Sequence, residues 1–290
     1  MFRNEVSEFI YKRTYARWLE DEKRREEWPE TVARFIDFLK SERKDLIPEK
    51  TYRKIEKYLL NFSVMPSMRF LWSAGEPARK DNTVIYNCSF ARMNTIDAFA
   101  ECLHILMCGT GFGFSVEKSE VKKLPKIPEI KSGRDKPLVV IDDSREGWAD
   151  SVKVLMNSLY EGQNLYFDYS QLRPEGARLV TMGGRSSGPQ PLIRLHDFIR
   201  ETLHNAQGRR LSTLEVHDVT NQIAEIVVAG GVRRSSQISL SDITDKEMRH
   251  AKDWPFPIRR AMANNSAIYR DKPTAADFLV EWGALAKSGT

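Results

Sequence analysis

The amino-acid sequence predicts an α/β protein that begins with a helical region. Near the N-terminus, apolar residues recur at helical spacing among charged ones, for example Phe35 and Leu39 behind Pro29. Farther along the chain, short strand-like runs alternate with helix-like segments. Some of these segments open with side chains that can cap a helix. We therefore predict a helical region over residues 1–62 and an α/β region over residues 63–290.

The predicted elements follow one another along the chain. Strand-like runs occupy residues 83–90, 112–116, 138–141, 165–169, 237–240 and 267–269. An early helix is predicted over residues 5–19, and later helices are expected to start within 143–146 and 212–215, where a side-chain oxygen can cap the first turn. The helix that starts at Ser212 is expected to stop at Gly230 and Gly231, because glycine tolerates a left-handed backbone.

The composition is that of an ordinary globular protein. The 290 residues are 41% hydrophobic and 29% charged, which excludes collagen-like and wholly disordered classes. The 45 basic residues only slightly outnumber the 40 acidic ones, so a nucleic-acid-binding role rests on a mild charge alone. No apolar run reaches the ~18 to 20 residues of a membrane span, and the charged N-terminus does not resemble a secretory signal. We expect a cytoplasmic protein with no direct contact to membrane or nucleic acid.

The three cysteines lack the spacing of a zinc site. Cys88, Cys102 and Cys108 do not form the close pairs that bind zinc, so we predict free thiols and no metal site. Cys102 and Cys108 fall in or at the end of an apolar helix-like stretch and are expected in the core. Cys88 has polar neighbours. Taken alone, it is interpreted as another core residue, with a redox role as the alternative.

A glycine turn, Gly109-Thr110-Gly111, precedes the strand-like run at 112–116. Bare glycine backbone can approach a phosphate, but the same turn can be purely structural. A dinucleotide-binding fold places its glycine turn between a strand and a following helix, whereas here a helix-like stretch leads in and a strand leads out. The order disfavours a dinucleotide site and leaves a tight turn and a phosphate cradle as the two interpretations.

Two later loops combine glycine and serine with arginine, at residues 183–189 and 230–236. A guanidinium group bonds phosphate oxygens in pairs, so each loop is either part of a nucleotide-phosphate site or a simple turn of the chain.

The five histidines show no zincin spacing and are expected in core or surface roles. Asp142 and Asp143 are expected to cap the helix that follows them.

Seven short motifs carry most of the functional information through the order in which they occur. They are Met65-Pro66-Ser67-Met68-Arg69, Asn87-Cys88-Ser89-Phe90, Gly109-Thr110-Gly111-Phe112-Gly113, Leu172-Arg173-Pro174-Glu175-Gly176, Ser187-Gly188-Pro189, Val228-Ala229-Gly230-Gly231-Val232-Arg233-Arg234 and Asn264-Asn265-Ser266. This series resembles the ribonucleotide reductases and, among them, the adenosylcobalamin-dependent ribonucleoside-triphosphate reductases. The resemblance extends over nearly the whole chain.

The resemblance implies a fold and a reaction. It implies a helical region followed by the first half of a ten-stranded α/β barrel. The implied reaction replaces the ribose 2′-hydroxyl of a ribonucleoside triphosphate with hydrogen. Adenosylcobalamin starts the reaction, a cysteine thiyl radical takes the 3′-hydrogen, and two further thiols supply electrons and close to a disulfide. Those two thiols must have α-carbons within roughly 7 Å of each other. A thioredoxin-type partner would restore the thiols.

The resemblance also implies roles for particular residues. Cys88 matches the first of the two reducing cysteines. Ser67, Asn87 and the turn formed by Gly109, Thr110 and Gly111 match substrate-binding positions. A long segment at about 117–165 resembles an insertion of the monomeric members, where it imitates a dimer partner and shapes a site for a deoxynucleoside triphosphate effector. A monomer when complete, regulated by such effectors, is therefore expected.

Other parts of the implied site match no residue of this sequence. The radical-forming cysteine, the partner of Cys88 and the C-terminal cysteine pair would belong to a missing C-terminal half, so the 290 residues alone are not expected to turn over. A fragment, a split gene and an intein-interrupted gene are alternative explanations. An alternative function is a nucleotide-binding regulatory half-barrel without catalysis, and a basic nucleic-acid-binding protein is a third.

Overall fold

The chain folds as two units, Met1–Asn87 and Cys88–Thr290, and the computed structural model describes residues 2–43, 46–131, 138–178, 185–229 and 236–289. The described residues of the first unit form helices and two very short strands. In chain order these are α1 (Glu5–Thr14), β1 (Trp18–Leu19), β2 (Arg24–Arg25), α2 (Trp28–Arg43), α3 (Glu49–Leu60), α4 (Met68–Ser73), α5 (Glu76–Lys80) and a 3-10 helix (Asn82–Ile85). The predicted helical character of the N-terminal region is thus present in the structure.

The first unit is held together by an aromatic core and a buried ion pair. Trp28 stacks on Phe62 with ring centroids 4.8 Å apart, and Tyr11 meets Trp28 edge-on. Arg34 donates to the buried carboxylate of Glu26 at 2.6 Å, which satisfies a charge that would otherwise be costly in the core. The domain boundary that the sequence places at residue 62 stays a prediction.

The predicted helix over residues 5–19 is wrong beyond Thr14. Trp18 and Leu19 pair in antiparallel fashion with Arg24 and Arg25, and this pairing takes the main chain out of the helix. The apolar spacing of the segment does not reveal the pairing, because a two-residue strand has no periodicity of its own.

The second unit is built on a parallel sheet covered by helices. Its described strands and helices are β3 (Cys88–Arg92), α6 (Asp97–Met107), β4 (Gly111–Ser115), α7 (Lys118–Val121), β5 (Leu138–Val140), α8 (Arg145–Tyr160), β6 (Tyr166–Asp168), α9 (Gln190–Asn205), α10 (Thr213–Ala229), β7 (Gln237–Asp242), α11 (Lys246–Arg249), a 3-10 helix (Ile258–Met262), β8 (Ala263–Ile268) and α12 (Ala275–Ser288). The main sheet has the order β3-β4-β7-β8 with every pair parallel, and β5 pairs with β6 in a second parallel sheet. The predicted α/β class is confirmed.

The two faces of the main sheet differ in burial. Phe112 and Phe114 of β4 point into the helix-covered core and are essentially inaccessible, whereas Phe90 of β3 and Ile238 of β7 are 54% and 42% exposed. Residues alternate between the faces because the side chains of a strand point to opposite sides in turn. We call the side that carries Phe90 and Ile238 the open face.

Several predicted boundaries are corrected by the structure. Residues 82–85 form a 3-10 helix rather than the start of a strand, and β8 begins at Ala263, so the predicted strand over 267–269 overlaps it only at its end. The helix caps at Ser144 and Ser212 are found as expected. Ser144 Oγ accepts from Gly147 N at 2.9 Å, Ser212 Oγ accepts from Glu215 N, and the Glu215 carboxylate accepts from Ser212 N.

Residues 183–184 and 230–235 of the two arginine-bearing loops lie outside the described residues. Among the helices that are described, none has the length and apolar character needed to cross a bilayer.

Candidate active site

Cys88 lies at the beginning of β3, on the open face of the sheet. Its thiol group is exposed, unlike those of the other two cysteines. The strand register places Cys88 directly opposite Gly111, the first residue of β4. Because glycine carries no side chain, Gly111 itself places no side-chain atoms beside the Cys88 thiol. The structure thus brings together Cys88 and the glycine turn, two features that the sequence separates by more than twenty positions.

Ser89, the residue after Cys88, links β3 to β4 on the helix-covered side of the sheet. Ser89 Oγ donates to the carbonyl oxygen of Gly111 at 2.9 Å. This bond adds to the parallel ladder between β3 and β4 and fixes the register on which the Cys88–Gly111 pairing depends.

The turn before β4 is the C-terminal cap of α6. Gly109 has a φ of 76°, its amide donates to Leu106 O at 2.8 Å, and the amide of Thr110 donates to Ile105 O at 3.2 Å. This pair of bonds is a Schellman motif, which requires a left-handed residue after the helix. The amides of Gly109 and Thr110 are therefore engaged with the helix, and the local geometry favours the tight turn over an open phosphate cradle. The substrate-binding roles of Gly109, Thr110 and Gly111 stay predictions.

A second glycine keeps the middle of the open face flat. A Cβ at Gly113 would stand 3.2 Å from a ring carbon of Phe90 and 3.3 Å from Cγ2 of Ile238. Phe90, Gly113, Ile238 and Asn264 form one row across the four strands. The open face therefore carries an exposed thiol, an aromatic ring and an aliphatic side chain around two glycines.

The other two cysteines are sealed in the core, as predicted. Cys102 is completely buried, and burial raises the pKa of its thiol well above the ordinary value, although the amide nitrogen of Gln237 lies 3.7 Å from the sulfur. Cys108 is also completely buried, at the end of α6. Its sulfur lies 3.1 Å from Nη1 of Arg145, the first residue of α8. Sequence reasoning missed Arg145, because nothing local marks a contact between two helix ends.

Two histidines occupy buried, fully bonded positions. His217 has ring nitrogens 3.0 Å from Ser239 Oγ and 2.8 Å from Asn221 Nδ2, and burial lowers its pKa to about 3. His196 lies between Ser151 and Tyr169, and burial lowers its pKa to about 3 as well. Both rings are neutral at pH 7 and hold the core together, in agreement with the predicted core role.

The Leu-Arg-Pro motif has a structural partner that corrects a prediction. Arg173 Nε donates to Asp143 Oδ2 at 2.7 Å, and its Nη2 reaches the carbonyl oxygen of Asp143 at 3.2 Å. The predicted capping role of Asp143 is wrong, since Ser144 supplies the cap of α8. The arginine of the motif thereby anchors the segment that leads into α8.

A cavity of about 520 Å³ lies beside α7, the start of α10 and the segment after β7. Its lining includes four cationic side chains: Lys118, Lys122, Arg210 and Lys246. Of the two carboxylates in the lining, Asp245 is already occupied, because it accepts from Thr213 Oγ1 at 2.6 Å and from the amide of Met248 at 3.2 Å. The cavity has the size of a small-molecule site and an excess of positive charge, which suits a phosphorylated ligand.

Ser67 and Asn87 belong to the first unit and are both exposed. Ser67 directly precedes α4, and its carbonyl oxygen accepts from Leu71 N at 3.0 Å, while its side chain makes no capping bond. Asn87 adjoins Cys88 in the chain. Their proposed contacts to substrate stay predictions.

Two family models match separate parts of the chain. Residues 1–76 match the ribonucleotide reductase alpha domain, and residues 117–203 match the insertion domain of B12-dependent ribonucleotide reductase. This chain is related to the adenosylcobalamin-dependent ribonucleotide reductases. The resemblance inferred from the motif series is confirmed, and the insertion-domain match contains the whole predicted insertion at 117–165.

Individual reductases extend the match over most of the chain. The adenosylcobalamin-dependent ribonucleoside-triphosphate reductase of Euglena gracilis is 30% identical in an alignment 297 positions long, gaps included, which covers 92% of this chain and 39% of the relative. The enzyme of the same name from Lactobacillus delbrueckii subsp. bulgaricus is 28% identical in an alignment 328 positions long, which covers 90% of this chain and 44% of the relative. The chain therefore spans less than half the length of these curated relatives.

A solved structure supports the same relationship. A B12-dependent, class II ribonucleotide reductase superposes with a TM-score of 0.77 at 25% identity and covers 89% of this chain and 45% of the solved chain. The described parallel sheet and its helices thus have the arrangement of the corresponding part of a class II reductase.

Proposed function

We propose that this chain is part of an adenosylcobalamin-dependent ribonucleoside-triphosphate reductase and supplies one of its two reducing thiols from Cys88. The observation that carries the proposal is the position of Cys88, which is exposed on the open face of the sheet and stands opposite a residue without a side chain. A reducing thiol has to reach a ribose, and a sulfur sealed among side chains could not do so.

The proposed reduction is balanced by two thiols. The 2′ carbon–oxygen bond of the ribose breaks, a carbon–hydrogen bond forms, and the oxygen leaves as water. Two thiols are oxidised to one disulfide and provide the two electrons and two protons. Cys88 is one of the pair. Cys102 and Cys108 are the only other cysteines of the sequence and both are completely buried, so the second thiol must come from residues that this chain does not span.

The cofactor we propose is adenosylcobalamin, named for the relatives, which supplies the radical that starts the reaction. One described histidine is unavailable to it as a ligand. His217, a potential metal ligand, is buried and has a partner at each ring nitrogen. The part proposed for Cys88 concerns the reducing electrons and not the binding of the cobalamin.

The proposal is tested by replacing Cys88 in the complete reductase. We expect Cys88→Ser to abolish turnover supported by a thioredoxin-type reductant, because serine cannot form the disulfide. Cys102→Ala is the matched control, since it removes a thiol from the core and not from the open face. Turnover that survives in Cys88→Ser would show that Cys88 is not a reducing thiol.

We further propose that a deoxynucleoside triphosphate effector binds in the 520 Å³ cavity. The support is its excess of cationic side chains and the position of Lys118 and Lys122 at the start of the segment that matches the insertion domain. Phosphate groups are favoured by lysine ammonium groups and by the nearby N-terminal end of α10.

Calorimetry with deoxynucleoside triphosphates tests this site. We expect Lys122→Ala to weaken binding several-fold. Lys153→Ala, which alters a half-exposed lysine of α8 paired with Asp97, should leave binding unchanged. Equal affinities in both variants would exclude the cavity. Binding at the cavity together with normal turnover of Cys88→Ser would instead favour a regulatory half-barrel without catalysis.

A further inference from the structure

A side-chain contact joins the insertion segment to the turn beside Cys88. Arg145 is the first residue of α8 and lies within the part of the chain that matches the insertion domain. Its Nη1 donates to Cys108 Sγ over 3.1 Å. Cys108 is the C-terminal cap of α6 and directly precedes Gly109.

The contact is well shielded from water. The Arg145 side chain is 15% exposed and Cys108 is completely buried. His104 Nε2 lies 3.7 Å from the same sulfur. A hydrogen bond from a charged donor is stronger than a neutral one, and losing it from a buried site costs more than losing it at the surface.

The turn carries a displacement of Cys108 directly to the thiol site. Gly109 and Thr110 are bonded back to α6, so these residues move with the end of the helix. Gly111, which follows at once, is paired with Cys88. Only Gly109 and Thr110 stand between Cys108 and Gly111 in the chain, so three Cα–Cα steps of ~3.8 Å each link the buried cysteine to the residue opposite Cys88.

We propose that Arg145 is a positioning residue for the Cys88 site and acts through Cys108 and the turn at Gly109–Gly111, so that the insertion segment sets the geometry beside the reducing thiol. The effect on the Cys88 site rests on the proposed function, whereas the contact between Arg145 and Cys108 can be tested without an activity assay. Helix α8 packs along α6, and the bond between Arg145 and Cys108 joins the two helices at the end of α6 that leads into the turn.

Hydrogen exchange on the 290-residue chain tests the contact. We expect Arg145→Gln and Cys108→Ala to speed exchange of the amides of Gly109 and Thr110 by roughly tenfold, the effect of losing one charge-assisted bond. Cys108→Ser keeps an acceptor for the guanidinium and should retain most of the protection. The double variant Arg145→Gln/Cys108→Ala should speed exchange by less than the product of the two single effects, because both single variants remove the bond between Arg145 and Cys108.

Arg200→Gln is the matched control within the insertion segment. The Arg200 side chain is 17% exposed, and its Nη2 donates to the carbonyl oxygen of Leu165 at 3.1 Å, away from the turn. Faster exchange at Gly109 and Thr110 in this variant would point to general loosening and would overturn the inference. Unchanged exchange in Arg145→Gln, or additive effects in the double variant, would overturn it equally.

The complete reductase tests the consequence for the site. We expect Arg145→Gln and Cys108→Ala to raise the KM for the ribonucleotide several-fold with kcat changed less than twofold, and Cys108→Ser to restore the KM. An unchanged KM alongside faster exchange would refute a role at the Cys88 site. If the unmodified complete protein reduced no ribonucleotide, the proposed function would fail, and the exchange measurements would still decide whether Arg145 holds the turn.

Discussion

Replacing Gly109 with alanine should destabilise the second unit through backbone strain. Gly109 has a φ of 76° and closes α6 through the two amide bonds of the Schellman motif. A residue with a Cβ loses ~1 to 2 kcal/mol in the left-handed conformation. Because ~1 kcal/mol shifts the midpoint of a unit of this size by ~2 to 4 °C, we expect the thermal transition to fall by about 2 to 8 °C.

Two further variants separate strain from other effects. Gly109→Asn should lower the midpoint less than Gly109→Ala, because asparagine tolerates the left-handed region. Gly283→Ala is the matched control. Gly283 lies inside α12, and a Cβ added there would meet no atom within 4 Å, so the change should be neutral or stabilise by up to ~1 kcal/mol.

Differential scanning calorimetry of the three variants measures these midpoints. Backbone strain at Gly109 requires the order Gly283→Ala, Gly109→Asn, Gly109→Ala from the highest midpoint to the lowest. If Gly109→Ala unfolded at the midpoint of the unaltered chain, the left-handed turn would not be a required feature of the fold, and the link between this turn and the Cys88–Gly111 pairing would lose its support.

Three further outcomes follow from burial and pairing. His196 and His217 have pKa values of about 3 in the folded chain, below the ~6.5 of an unfolded histidine. The unfolded state therefore binds more protons between these values, and the free energy of unfolding should fall as the pH drops from about 6.5 towards 3, by up to ~1.4 kcal/mol per pH unit for each histidine. Urea unfolding between pH 4.5 and 7.5 measures this slope, and His217→Gln should reduce it. Iodoacetamide should alkylate Cys88 in the native chain and the two buried cysteines only in denaturant, as read by mass spectrometry; equal rates would contradict the burial. Arg173→Gln should cost at most ~1 kcal/mol in urea unfolding, since the pair with Asp143 is about a third exposed, and a loss above ~2 kcal/mol would mean that the arginine holds more than this pair.

The sequence predicts helix boundaries well where a local signal exists. Ser144 and Ser212 cap α8 and α10 as the sequence indicates, because a capping hydroxyl and the amide that donates to it lie within one helical turn. The predictions fail where the deciding contact is distant. The strand at Trp18 and the pairing of Asp143 with Arg173 both depend on partners that the spacing of apolar residues does not reveal.

For the candidate site, too, the sequence predicts the local features and misses the contacts between distant residues. The motif around Cys88 is identified from its sequence, and the order of helix, glycine turn and strand is correctly predicted to differ from a dinucleotide fold. The position of Arg145 against Cys108 could not be predicted, because the two residues stand 37 positions apart and meet only when α6 and α8 have packed.

The sequence by itself determined the class of fold, the caps at the start of α8 and α10 and the family to which the chain is related, since periodicity, capping and motif order depend on residues close together in the chain. Only the tertiary structure decided that Cys88, which its local sequence alone would place in the core, is exposed opposite Gly111. The reason is that the environment of a side chain depends on which strands pair and which helices cover them, and a parallel sheet makes these pairings between segments far apart in the chain.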